Sequence, residues 1–275
     1  FRSPRSTLPT IAAALTAFAL GAAKPEDAIA AFQARGLLRP SFRWQDVWQA
    51  EHARAFAVAG VMRLDILADF REAVKTVVDE GGDLAAFSAE LKGTLIRKGW
   101  WGNLEITDPT TGELRKTRFN DARLRLIFDV NMRQSHAAGR WRRGMRGKLP
   151  FIVYRTMGDE RVRVSHRPWD YLVLPREHPF WDTHFPPNGW GCECRVVAAS
   201  RADIEAAKAK SLFGEPPAGW DTPDPDTGLL PGIDRGWDHA PGANLNTDLR
   251  ALFHARVATL PGPLADAFRA YLSQA

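Results

Sequence analysis

The sequence is poor in cysteine, with two thiols in 275 residues. That number excludes a disulfide framework. Cys192 and Cys194 are also one residue apart, so a bridge between them would close a small, strained ring. A reducing compartment is the implied setting. Long apolar runs are missing too. Residues 11–23 are apolar and follow Arg2 and Arg5, which gives them the outline of a signal peptide, but they are too few to span a bilayer. The other reading is a helix that starts after Thr10 and packs on the core. The chain opens on Phe1, as expected of a processed or truncated product. No serine sits in a nucleophile elbow, and neither a phosphate loop nor an HExxH pattern occurs. No catalytic constellation is therefore expected, and no internal repeat or low-complexity run stands out.

What is present reads as a globular protein. The composition is 45% hydrophobic and 25% charged, and the length suits one large domain or two smaller ones. Nineteen prolines and ten tryptophans carry more information. Trp169, Trp181, Trp190, Trp220 and Trp237 lie in a Pro/Gly-rich stretch with little helical periodicity, which predicts an irregular second half pinned by aromatic rings. The formal charge is +5, but residues 115–148 hold eleven basic residues against two acidic ones. An anionic partner is to be sought there.

Periodicity predicts an α+β fold, with a helical N-terminal part followed by a compact domain of helices, short antiparallel strands and long Pro/Gly-rich loops. Pro25-Glu26-Asp27 opens a short helix that Gly36 ends. Apolar residues at helical spacing then run from Trp44 to Glu80, so that residues 41–98 are expected to be almost wholly helical. Gly99 to Gly112 reads as a turn-rich joint, and Asn120 to Arg143 as a further helix. Phe151–Tyr154, Val162–Val164 and Tyr171–Leu174 read as strands, residues 202–210 as a brief helix, and 248–275 as helix again. The expected organisation is 1–112, 113–245 and a tail, 246–275.

Three groups of residues invite a chemical reading. Cys192 and Cys194, in an extended segment, would point to one face and suit a soft metal, with His166 or His184 as a third ligand. The plainer reading buries them beneath Trp190. Asp159, Arg161 and His166 read as a structural knot, acid and base pairing with each other and with turn amides. Arg140, Trp141, Arg142, Arg143, Arg146 and Lys148 could neutralise phosphates and stack on a base, or else form a solvated helix end.

The order of four stretches, "RLRLIFDVNMRQSHAAGRW", "YRTMGDERVRVSH", "HPFWDTHFPPNGWGCECRV" and "GIDRGWDHAPG", resembles the phage Mu F-like minor head proteins of the head morphogenesis family. The resemblance covers residues 25–242. It implies a low-copy virion protein associated with the portal and the head interior. Portal and major capsid proteins would be its partners, with sequence-independent contact to double-stranded DNA and no membrane. It would be assembled in the host cytoplasm. The alternative is a head-associated enzyme or toxin carrier. Many relatives carry a Cys-x-x-Cys after the Asp-Glu-Arg, which with a later Cys-Arg-Cys would make a zinc knuckle. Here the matching positions read Arg163 and His166. No cofactor is therefore expected; the alternative is zinc on His166, Cys192 and Cys194, completed by water, Asp159 or His184.

Overall fold

The computed structural model describes residues 26–47, 49–147 and 150–243, together with 262 and 266. Of the expected tail helix, 248–275, only residues 262 and 266 are described, both helical, and the apolar residues 11–23 lie outside the described residues. The fold is α+β.

Two cores are strung on one long helix. Helix α1 (Glu26–Gln33) is followed by two-residue strands β1 (Leu37–Leu38) and β2 (Ala55–Phe56), which pair in parallel. Helix α2 (Leu64–Glu80) buries Ile66, Leu67, Phe70, Val74 and Val77 along one stripe, the spacing of a helix with one apolar face. Helix α3 (Leu84–Arg97) starts where Asp83 accepts the Ala86 amide at 2.8 Å, an N-cap of the usual kind. Strands β3 (Gly102–Thr107) and β4 (Leu114–Phe119) form an antiparallel hairpin. Helix α4 (Asp121–Arg146), capped by Asn120 on the Arg123 amide, runs about 39 Å at 1.5 Å per residue. Its first half adds Leu124 and Ile127 to the core of α1–α3. Its second half adds Ala137 to another core, with Trp141 and Met145 packed against it.

That second core rests on a three-stranded antiparallel sheet. β5 (Phe151–Arg155) lies between β6 (Val173–Pro175) and β7 (Arg195–Ala198). Trp169, Phe180, Trp181, Phe185 and Trp237 fill the space behind it, so the second half is pinned by aromatic rings as its sequence predicts. Short helices α5 (Phe180–His184) and α6 (Arg201–Ala209) complete it.

The structure corrects four expectations. Residues 41–63 are not α-helical: two 3-10 turns (Trp44–Asp46 and Gln49–Ala53) and extended chain occupy them. Here Ser41 bridges Val61, while Phe42, Val47, Phe56, Val58 and Val61 are buried from a backbone that wraps around the core. Apolar spacing alone does not separate such a wrap from a helix. Gly99–Gly112 holds a strand and the hairpin turn, where Asp108 Oδ1 accepts the Thr110 amide at 2.8 Å. A division at residue 112 therefore falls inside a hairpin. Val162–Val164 is not a strand. Val164 is 77% exposed and opens a 3-10 helix, Val164–Trp169, because the chain there turns to send His166 inward. The third strand is shorter than expected, Tyr171 standing outside β6 with a positive φ of 70°.

Candidate metal centre

Three loops behind the sheet meet at one buried point. The loop after β5 leads into the 3-10 helix that carries His166, the segment before β7 carries Cys192 and Cys194, and the later loop brings Gly232 and Asp234. All three metal-type side chains are buried, at 1%, 5% and 7% exposure. His166 Nδ1 lies 3.8 Å from Cys192 Sγ and 3.6 Å from Cys194 Sγ. On the other side of the ring, Nε2 stands 2.8 Å from the Gly232 carbonyl oxygen. A carbonyl only accepts, so Nε2 carries the proton and, in the neutral ring, the Nδ1 lone pair faces the two sulfurs. The ring stacks on Trp169 at 5.1 Å.

The sulfurs are electrostatically coupled. A hydrogen bond from the Cys194 thiol is the main cause that holds Cys192 well below the ordinary thiol range, against its burial, and Cys194 is pushed up in return. Tyr154, fully buried, gives its hydroxyl to Asn188 Oδ1 at 2.8 Å, and that hydroxyl also neighbours Cys194. Burial first, and then the two cysteines, raise the Tyr154 pKa well above its usual value. The cysteines are free thiols.

The loops are held in register by a staple that sequence reasoning missed. Arg163 donates to both Asp234 oxygens, at 2.7 and 2.9 Å, and to the Trp190 carbonyl at 2.7 Å. Asp234 also accepts the Trp190 amide at 2.9 Å, while its own amide donates to the Asn188 carbonyl. Two glycines make this closeness possible. A Cβ on Gly189 would lie 2.3 Å from Asp234 Oδ2, and one on Gly232 would lie 2.5 Å from the Trp169 ring. The signal was the repeated coincidence of small and charged residues in "VRVSH", "PPNGWG" and "GIDRGW".

The other residues singled out from sequence are placed apart from this centre. Asp159 pairs with Arg161 at 2.6 Å on the surface, and Arg161 also reaches Glu193 at 3.4 Å. Of the expected knot, only His166 enters the buried cluster. His184 is fully buried and meets Thr183 at 2.8 Å, but among the described residues only His166, Cys192 and Cys194 bring ligand atoms within 4.8 Å of one another.

Arg140, Trp141 and Arg142 of the basic segment are engaged with the rest of the molecule. Trp141 packs edge-on against Phe185 at 5.0 Å, not outward for stacking. Arg140 is turned inward, and burial together with Arg143 and Arg195 lowers its pKa to about 10. Arg142 and Arg143 approach Asp27 at 3.8 and 3.7 Å. Arg146 closes α4, and Lys148 lies outside the described residues. The exposed described cations of residues 115–148 are Arg115, Lys116, Arg118, Arg125 and Arg143, at the hairpin and towards the two ends of α4.

Comparison with known proteins gives a consistent answer. A family model described as "Phage Mu protein F like protein" matches residues 68–197. The chain is 34% identical over 192 residues to "Putative capsid assembly protein F" of Escherichia phage Mu, covering 69% of this chain and 44% of that protein. It is 30% identical over 179 residues to the Mu-like prophage FluMu F protein of Haemophilus influenzae, covering 64% and 42%. The chain thus spans less than half the length of these curated relatives. No solved structure matches it.

Proposed function

We propose that this chain, whose residues 68–197 match the Mu protein F-like family model, is a minor head protein of a tailed phage or prophage. The observation that carries this reading is the alignment with a protein named for capsid assembly. In this reading the chain works as a structural part in head morphogenesis and not as an enzyme. It joins the portal and major capsid proteins during assembly in the host cytoplasm, and it stays in the virion. No described helix is long and apolar enough to cross a membrane.

Contact with packaged duplex DNA, in the same reading, runs through Lys116, Arg118 and Arg125. Lys116 and Arg118 are two residues apart on β4 and so share a face of the strand, and Arg125 follows in the first turns of α4. All three are exposed, whereas Arg140 and Arg142 are turned into the protein. Phosphate contacts of this kind carry no sequence information. The Arg143 end of α4 is left for a protein partner.

The test is affinity capture of the tagged chain from cells producing the phage. Recovery of portal and major capsid proteins supports the reading. Recovery of neither, from lysates in which heads are assembling, overturns it.

A further inference from the structure

We propose that His166 Nδ1, Cys192 Sγ and Cys194 Sγ hold one zinc ion, which locks the three loops together. In a tetrahedral zinc site with Zn–S about 2.3 Å and Zn–N about 2.0–2.1 Å, neighbouring nitrogen and sulfur donors stand about 3.5–3.6 Å apart. The two nitrogen–sulfur distances here are 3.6 and 3.8 Å. The side chains already stand at nearly the spacing that a metal would impose.

The donor set selects the metal class. One imidazole and two thiolates are soft or borderline ligands, suited to zinc and unsuited to calcium or magnesium, which take oxygen. Two thiolates also cancel the charge of a divalent ion, so the loaded centre is neutral and can remain buried. The outer shell is in place as well. The Gly232 carbonyl holds the Nε2 proton, which fixes the tautomer and orients the ring, as outer-shell acceptors do for metal-bound histidines. The Tyr154 hydroxyl stands beside Cys194.

Three protein donors leave one position. A cavity of about 260 Å³, walled by both cysteines with Arg133, Arg140 and Arg195, has room for a water as the fourth ligand. Asp159, bound to Arg161 at the surface, is not needed. The site departs from the metal-free knot expected from sequence. It also stands independently of the head-protein reading, since its test uses purified protein alone.

The experiment is elemental analysis of the full chain, purified without chelators, followed by titration of the metal-free protein with cobalt(II). The expected results are about one zinc per chain and, with cobalt, the intense visible bands of a tetrahedral ion with a thiolate-to-cobalt charge-transfer band at one equivalent. Cys194→Ser should lose the charge-transfer intensity of one thiolate. His166→Cys, which keeps a soft donor, should retain the tetrahedral bands and gain charge-transfer intensity. Asp159→Asn should match the parent. A soluble, folded parent that holds no zinc after incubation with it, or that gives only the pale spectrum of octahedral cobalt, overturns the proposal. Loss of the tetrahedral bands in Asp159→Asn overturns the three-donor assignment.

Discussion

Arg163 and Asp234, seventy-one residues apart in sequence, meet in a bidentate ion pair with both nitrogen–oxygen distances under 3 Å. The pair also takes in the Trp190 backbone from both sides, its carbonyl through Arg163 and its amide through Asp234. Three loops without regular structure are thereby tied into one surface over the buried His166 cluster. A flexible lysine cannot reproduce the fork, because the guanidinium serves the two carboxylate oxygens in one plane.

Removing one partner should cost more than the pair is worth by itself, since the other is left half-buried. Asp234→Ala is expected to lower stability by about 2–3 kcal/mol. In a double-mutant cycle with Arg163→Ala, a coupling of about 1–2 kcal/mol should appear in urea unfolding. Additive single effects would show that the pair does not join the loops.

Gly189 is expected to be intolerant of any side chain. Its Cβ would fall within 2.6 Å of both Arg163 and Asp234, so Gly189→Ala should force the staple apart and cost about 2 kcal/mol or more. Gly36 offers the comparison, because a methyl carbon added there would meet nothing closer than 3.8 Å. Thermal melting should show Gly36→Ala close to the parent and Gly189→Ala well below it.

Acid should weaken the fold through His184. Burial, as the main cause, lowers its pKa from 6.5 to about 4, and the ring stacks on Phe180 at 4.4 Å. A histidine depressed in the folded state contributes stability that is fully present above pH 6.5. That contribution is lost as the pH falls through the window down to about 4, where the unfolded chain binds the proton first. At most about 3 kcal/mol is involved. Urea midpoints measured between pH 7 and 4 should fall less in His184→Gln than in the parent. Parallel curves for the two proteins would show that His184 is not the acid-sensitive group.

The salt dependence of DNA binding should locate the basic surface. Replacing Lys116, Arg118 and Arg125 together with alanine should flatten the slope of log affinity against log salt by up to about three units, at roughly 0.9 per lost phosphate contact. Arg140→Ala and Arg142→Ala should leave the slope unchanged and lower stability instead. The reverse pattern would return the DNA contact to residues 140–148.

The elements read correctly from sequence are those in which one signal dominates. Helix α4 has a capping asparagine and a long apolar stripe, and β5 is a short apolar run between breakers. Both cores can be reached from these two elements. The hairpin β3–β4 was harder to see because it buries little beyond Ile106 and Phe119, so no alternation marks it. Residues 41–63 misled for the opposite reason, since Phe42, Val47, Phe56, Val58 and Val61 are buried, but from a chain that wraps. At the site, His166, Cys192 and Cys194 were legible as residue types. Their convergence with Gly232 and Asp234 was not, because it depends on contacts across 26 to 71 residues that no local spacing encodes. Charge density misled in the basic segment, where Arg140 and Arg142 turn inward and Trp141 packs on the core.

If this chain is a structural component of phage heads, it must be found in them and be needed to complete them. Quantitative mass spectrometry of heads purified by density gradient from producing cells, with and without the gene for this chain, decides both points. The chain should sediment with heads at low, fixed copy number beside the portal protein, and its deletion should reduce the yield of complete heads. Heads that form in normal number without it, and that never contain it when it is expressed, would contradict a structural role in the head.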